Sequence, residues 1–211
     1  MQRVVWIVCL LATSLWSKSF YIAETDLRTL EATYGTQAAT RMQMLVKLMN
    51  SLSDASLKTK LIEVNDFFNA IAYKSDAKVW EQSDYWANRT EFVGKGMGDC
   101  EDYAYAKYFT LAQLEVEKEQ LRAFYCQSTT YNEAHMVLAF YSKKSDVPFL
   151  LDNYNPSILP ATQRADIKPI KVYNSDDLFL AKIKKMGKAV PESKGDALDW
   201  LEAIHMIRSR E

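Results

Sequence analysis

The order of patterned segments in this chain predicts an α+β fold, in which helices come first and one further helix is followed by antiparallel strands. Two observations carry that prediction. Apolar residues recur at helical spacing from about 25 to 73 and again after residue 100, and short apolar or aromatic runs bounded by turns fill the stretch from 122 to 173. A third observation sets the size: 211 residues, 48% of them hydrophobic, suffice to bury one core without staples, which excludes a long disordered chain.

Composition also removes whole classes of function. The 26 Lys+Arg balance 27 Asp+Glu, and no block of five or six like charges occurs, which argues against binding nucleic acid or a membrane surface through bulk charge. Function must then come from a local site. Two histidines and three cysteines, with no C-x-x-C or H-x-x-x-H pair, nearly exclude four-ligand zinc centres. No repeat or low-complexity tract is present.

Residues 1–19 read as a secretory signal peptide: Arg3 gives a positive start, Val4 to Leu15 is almost wholly apolar, and Ser14, Ser17, Lys18 and Ser19 follow. The apolar stretch is short for a membrane span, which needs about 20 residues, although an uncleaved anchor stays open as the alternative. Val8 is bulky where a lipoprotein signal before Cys9 wants a small residue, so lipidation is not expected. Removing Arg3 and Lys18 with this leader leaves 24 basic residues against 27 acidic ones. The remainder, 20–211, is expected to be a single domain.

Within that domain, 25–33 and 36–51 are expected to be helices, the second with Met42, Leu45, Val46 and Met49 at helical spacing. The span from Ala55 to Tyr73 has the clearest period, through Leu57, Leu61, Val64, Phe68, Ile71 and Ala72. A polar connection without period, Glu81 to Gly98, then carries Tyr85 and Trp86; connections of that length are more often functional than idle. Gly94, Gly96 and Gly98, three of the six glycines, crowd its end. Asp99 suits a helix N-cap, with a helix from Cys100 to about Leu114 and Tyr105, Tyr108, Phe109 and Ala112 on one face. Strands are expected at 122–127, 135–141, 148–151 and 167–173. Two helices close the chain, one opened by Ser175 and ended by Gly187, the other from Asp196 to Arg208.

An exported chain without Cys9 keeps Cys100 and Cys126, and a disulfide between them is the ordinary expectation in an oxidising compartment. Their surroundings suggest separate roles instead. Cys126 lies in the strand-like run Arg122-Ala-Phe-Tyr-Cys-Gln127, where a cysteine behaves as a small hydrophobe. Cys100 opens a helix, where the helix dipole and free backbone N–H groups favour a thiolate and could hold an oxyanion. Such a thiolate needs a base. His205 falls on or beside the apolar stripe Leu198, Leu201, Ile204 and reads as structural, whereas His135 begins a strand after the polar turn Ser128 to Glu133. Asp152, at the end of the apolar run Pro148-Phe-Leu-Leu151, is placed to orient an imidazole. Trp86 could donate from its indole, shape a subsite, or simply pack.

The run Gly96-Met-Gly-Asp-Cys-Glu-Asp-Tyr-Ala-Tyr-Ala-Lys-Tyr108, with Leu121-Arg122-x-x-Tyr125, His135-Met-Val-Leu138 and Leu151-Asp-Asn153, resembles the bacterial transglutaminase-like cysteine proteinases of the LapG type. Upstream, Lys60-Leu-Ile-Glu-Val-Asn-Asp-Phe-Phe-Asn69 and Asp84-Tyr-Trp86 extend the resemblance, which covers about 55 to 155. It implies a papain-like, transglutaminase-like fold with Cys100 as nucleophile, His135 as base and Asp152 as the orienting third member. It further implies a periplasmic endopeptidase that cuts the N-terminal region of a large surface adhesin next to paired small residues, so dispersing biofilm. An inner-membrane cyclic di-GMP receptor would sequester it. Cys126 has no place in that pattern. Amide transfer to an amine on the same scaffold and a non-catalytic exported calcium-binding module remain the rival readings.

The acidic flank of Cys100 poses a physical problem, because Asp99, Glu101 and Asp102 should disfavour a thiolate between them. Helix capping by Asp99 and Asp102 is one explanation. Ca2+ is the other, since it takes carboxylate oxygens and cancels their charge. The resemblance also implies calcium, with Asp99 and Glu101 as ligands, and Asp102 is added as a third.

Overall fold

The computed structural model describes residues 18–143, 146–173 and 206–210. Most of the expected leader, the helix expected from Ser175 to Gly187, nearly all of the last expected helix, and His205 lie outside the described residues. Among the described residues no helix is long and apolar enough to cross a membrane.

The first half is helical. Strand β1 (Ser19–Ile22) leads into α1 (Glu24–Tyr34) and α2 (Thr36–Leu52), then α3 (Leu57–Asn69). The Ser56 hydroxyl starts α3 by accepting the Thr59 N–H at 3.2 Å, the ordinary serine cap. Helix α3 ends short of the expected Tyr73, because Ala72–Tyr73 leaves the helix as β2 and pairs in parallel with β3 (Met97–Gly98). A short α4 (Asp76–Val79) follows. The connection expected to be irregular contains α5 (Arg89–Lys95), too short to show a period but opened by an Asn88–Glu91 capping box.

Helix α6 (Cys100–Gln113) is the axis of the molecule. Cys100 and every residue from Asp102 to Leu111 are buried, so α6 is covered on all sides rather than on the single face its pattern suggests. It packs against α3, α5 and one face of a five-stranded antiparallel sheet. That sheet comprises β4 (Leu121–Ser128), β5 (Glu133–Phe140), β6 (Phe149–Leu151), β7 (Leu159–Pro160) and β8 (Ile167–Tyr173), in the spatial order β7-β6-β5-β4-β8. All four expected strands are present. Alternation splits β5 between two layers: Met136, Leu138 and Phe140 join the main core with α6, while Val137 and Ala139 join Phe124, Cys126, Leu150 and Ile167 in a smaller cluster.

One expectation is overturned at the C-terminus. Ile207–Arg210 is a strand, β9, paired antiparallel with β1, where a helix through Arg208 was expected. The exposed edge of β1 offers a ladder, and side chains strengthen the pairing: Arg208 reaches Asp26 at 2.8 Å and the Arg210 guanidinium sits 4.0 Å from the Tyr21 ring centroid. These contacts link segments distant in sequence, which helical spacing cannot reveal.

Candidate active site

The turn before α6 is built around two glycines. Gly96 ends α5 with φ 67°, the left-handed conformation that favours glycine, while Arg41 covers the same helix end by donating to the carbonyls of Val93 and Gly94. At Gly98 a Cβ would lie 2.3 Å from Asp102 Oδ2 and 2.7 Å from the Phe92 ring, so no side chain fits. That close approach lets Asp102 fold back beneath the turn. Its Oδ1 accepts the Ala87 N–H at 2.8 Å and its Oδ2 the Asp99 N–H at 3.3 Å. Trp86, beside Ala87, is buried in the main core.

Cys100 therefore emerges at the first position of a buried helix, 8% exposed. It and Cys126 are both free, which removes the disulfide alternative. The Cys100 thiol donates to Glu101 Oε2 at 3.0 Å. Burial pushes the thiol up, the Glu101 and Asp99 carboxylates push it further, and the Met136 backbone N–H opposes them. Met136 follows His135 in β5, so the helix N-terminus and the start of that strand meet at this thiol.

His135 and Asp152 are each 1% exposed. The imidazole Nε2 lies 2.7 Å from Asp152 Oδ1, which leaves Nδ1 buried with no hydrogen-bond partner among the described residues. An ionised carboxylate only accepts, so Nε2 carries the proton in the neutral ring and Nδ1 presents its lone pair. Burial opposes the charge on Asp152, but hydrogen bonds from His135 and Arg164 and the His135 charge hold it below the usual carboxylate range. Tyr154 covers the imidazole, its ring parallel within 3° at a centroid separation of 4.0 Å. The Tyr154 hydroxyl donates to Glu133 at 2.7 Å and also meets the Tyr73 hydroxyl at 3.0 Å. These tyrosines, with Tyr103, Tyr131, Asn69 and Asn153, line a cavity of about 430 Å³ beside the histidine.

The scan of known protein families matches residues 34–177 to the model of the bacterial transglutaminase-like cysteine proteinases. The chain belongs to that family. Solved structures of Legionella pneumophila LapG are similar to this proteinase over most of its length. An EGTA-treated form is 38% identical with a TM-score of 0.65, covering 72% of this chain and 82% of that one. A calcium-bound form is 34% identical with a TM-score of 0.67, covering 77% and 98%. No curated protein matches. The expected enzyme class, cysteine protease, and the α+β papain-like fold both hold.

The acidic turn of this proteinase reaches beyond the three expected carboxylates. Asp76, at the start of α4, is brought beside the turn because β2 pairs with β3 and the Lys74 N–H donates to Gly98 O at 2.8 Å. Single oxygens of Asp76, Asp84 and Glu101 lie within 4.8 Å of one another, as do those of Asp76, Asp99 and Asp102. Asp76 Oδ1 and Asp99 Oδ1 are buried with no hydrogen-bond partner among the described residues. Burial and the Glu101, Asp102 and Asp76 carboxylates push Asp99 up to about 10. Orphaned, mutually repelling oxygens are the donor set that suits a hard divalent cation, so these residues fit calcium. Asp102 is the least available of them, because both its oxygens already accept backbone N–H groups.

Sequence reasoning missed Asp76, Tyr154 and Arg164. The last donates to Asp152 Oδ2 at 2.5 Å from the side opposite His135. Asp76 follows Lys74-Ser75 in a stretch with no period, and Arg164 lies in a polar loop between two strands, so neither carried a pattern that marks it as buried.

Proposed function

We propose that this proteinase is a calcium-dependent periplasmic endopeptidase in which Cys100 is the nucleophile, His135 the general base and Asp152 its orienting partner. The observation that carries the reading is a buried imidazole with one nitrogen locked on a carboxylate and the other without a partner among the described residues, on a strand whose next residue, Met136, directs its backbone N–H to the Cys100 thiol at a helix N-terminus. His135 Nδ1 takes the thiol proton, and the Cys100 sulfur attacks a peptide carbonyl carbon. The resulting oxyanion is stabilised by backbone N–H groups at the α6 N-terminus, including that of Cys100. His135 returns the proton to the departing amine as the C–N bond breaks, leaving a thioester. Water then gives its proton to His135 and attacks the thioester, releasing the acid and restoring the thiol.

Asp99, Glu101, Asp76 and Asp84 would hold the calcium ion, with Asp102 beneath them, and the ion would supply the positive charge this turn lacks. Were Glu101 engaged as a ligand, the Cys100 thiol would lose the acceptor it has at 3.0 Å and would be free to turn towards His135. The calcium-bound and EGTA-treated forms of Legionella LapG support this dependence. We further propose that the substrate is the N-terminal region of a large surface adhesin, cut next to paired small residues. Cleavage would release the adhesin and disperse biofilm, under an inner-membrane cyclic di-GMP receptor that sequesters the enzyme. Tyr73, Tyr131 and Tyr154, which narrow the cavity beside His135, favour small side chains near the cut bond.

The direct test incubates the purified protein with the N-terminal segment of a large calcium-repeat adhesin from the same genome. A discrete cut is expected in calcium, absent with chelator and absent in Cys100→Ala. An amine-dependent adduct in place of a cut, or cleavage indifferent to chelator, would overturn the corresponding part of the reading.

A further inference from the structure

We infer that Arg164 is a positioning residue of this proteinase: its guanidinium keeps Asp152 ionised, and so keeps the His135 ring fixed, during the part of each turnover when the imidazole is neutral. The inference rests on the triad reading above. The Asp152 side chain has no exposed surface, and a buried carboxylate needs a counter-charge to stay ionised. His135 cannot be that constant counter-charge, because it surrenders its proton to the leaving amine once per cycle. Arg164 can, since a guanidinium does not deprotonate in a protein.

The geometry divides the Asp152 carboxylate cleanly between two functions. Oδ1 faces His135 Nε2 at 2.7 Å and accepts the Tyr154 N–H at 2.9 Å, while Oδ2 accepts Arg164 Nη2 at 2.5 Å. Arg164, 3% exposed, follows the short 3-10 turn Ala161–Gln163 and is braced by Asp166, which accepts Nε at 2.9 Å and Nη2 at 2.7 Å. Asp166 is fixed in turn through its backbone carbonyl, which accepts the Thr129 N–H at 2.8 Å. Among the described residues Lys107 on α6 also feels the Asp152 charge, but it makes no hydrogen bond to the carboxylate: it donates to Asn69 Oδ1 at 2.8 Å, Asn69 donates to the Asp152 backbone carbonyl at 2.8 Å, and burial lowers the ammonium to about 7, so Arg164 is the constant charge bonded to Asp152. Cys126, on β4, also faces this group as a neutral thiol.

The test compares Arg164→Gln, Arg164→Lys and Asp166→Asn in the full chain with calcium present. Two readouts are followed: kcat and KM on a quenched-fluorescent peptide carrying an Ala-Ala pair, and the low-field proton resonance of His135 Nε2–H, assigned by its loss in His135→Asn. Arg164→Gln is expected to lower kcat by about 10- to 100-fold with KM changed less than about threefold, and to move or broaden the resonance. Arg164→Lys is expected to recover part of both, because it restores charge without the fork. An unmoved resonance with unchanged kcat in Arg164→Gln would overturn the inference, as would equal losses in the Gln and Lys variants. Should Arg164→Gln fail to fold by thermal melting, Asp166→Asn decides: a folded variant with kcat down about two- to fivefold supports the inference, and wild-type kcat and resonance defeat it. Cleavage that survives Cys100→Ala would defeat the triad reading instead, and the resonance, which needs no turnover, would still decide on Arg164.

Discussion

The two acidic regions of this site sit under opposite electrostatic conditions. Asp152 is buried between His135 and Arg164, each of its oxygens has a partner, and its carboxyl is held below the usual range. At the other end Asp76, Asp99 and Glu101 crowd together, two of their oxygens are buried without hydrogen-bond partners among the described residues, and Asp99 is pushed up to about 10. The chain's own residues balance the charge beside His135, whereas beside Cys100, the proposed nucleophile, they set carboxylates against one another. The half whose carboxylates repel one another is the one that carries the proposed nucleophile, Cys100. That is the physical basis for expecting control by an external cation there and none at the Asp152 end.

The largest effects test the proposed nucleophile and the charge-balanced half. Cys100→Ala should reduce peptide cleavage by the order of 10⁶-fold, with an unchanged circular dichroism spectrum. Asp152→Asn should cost about 10⁴-fold in kcat, since the amide no longer fixes the tautomer with Nδ1 open. That variant should also lose about 3–5 kcal/mol in denaturant unfolding, because it leaves Arg164 buried against Asp166 alone. A mild Asp152→Asn would mean that the His135 end is not the self-sufficient partner in the comparison.

A smaller effect, but one that separates the two regions by sign, is the dependence of stability on pH. Asp99 and Asp76 are raised above their unfolded values, chiefly by burial, so their contribution is fully present below about pH 4 and is lost as pH rises, for Asp99 through about 10. Asp152 is lowered, so its contribution is present above its unfolded value near 4 and is lost as pH falls through the folded value below that. In chelator, stability should therefore increase as pH is lowered from 7 towards 5. Saturating calcium should flatten that slope, and at a hundred times its Kd should add about 2.7 kcal/mol near pH 7. Asp76→Asn should raise the melting temperature in chelator, by relieving repulsion, and lower it in calcium, by removing a ligand. One sign in both conditions would refute the assignment of Asp76 as a calcium ligand.

The same contrast explains what could be read from the sequence. Cys100, His135 and Asp152 are legible as candidates because each is a reactive side chain at the end of an apolar helix or strand run. Charge balance was not legible, because it depends on pairs far apart in the chain. Arg164 reaches Asp152 from a loop with no pattern, and Asp76 reaches Asp99 only because β2 pairs with β3. Only the acidic flank of Cys100 showed in sequence, as a conflict without its full set of residues. Strand β9 failed for a related reason: its partner, β1, is 185 or more residues away, and local spacing through Ile204 pointed to a helix.

The smallest expected effect concerns Cys126, which is paired across the ladder with His135 and borders the Asp152–Arg164 group without carrying a charge. It is fully buried, its thiol donates to the His135 backbone carbonyl at 3.2 Å, and burial, reinforced by Asp152, pushes it up to about 12. A thiol so disfavoured as a thiolate contributes through packing and one weak hydrogen bond. Cys126→Ala should therefore cost about 1–2 kcal/mol in unfolding free energy and leave kcat within about twofold. Cys126→Ser, which keeps a donor, should behave alike in cleavage. A tenfold loss of kcat in the folded Ala variant, restored in the Ser variant, would mean that the placement of His135 depends on that hydrogen bond, and the self-sufficient half of the site would then have to include β4.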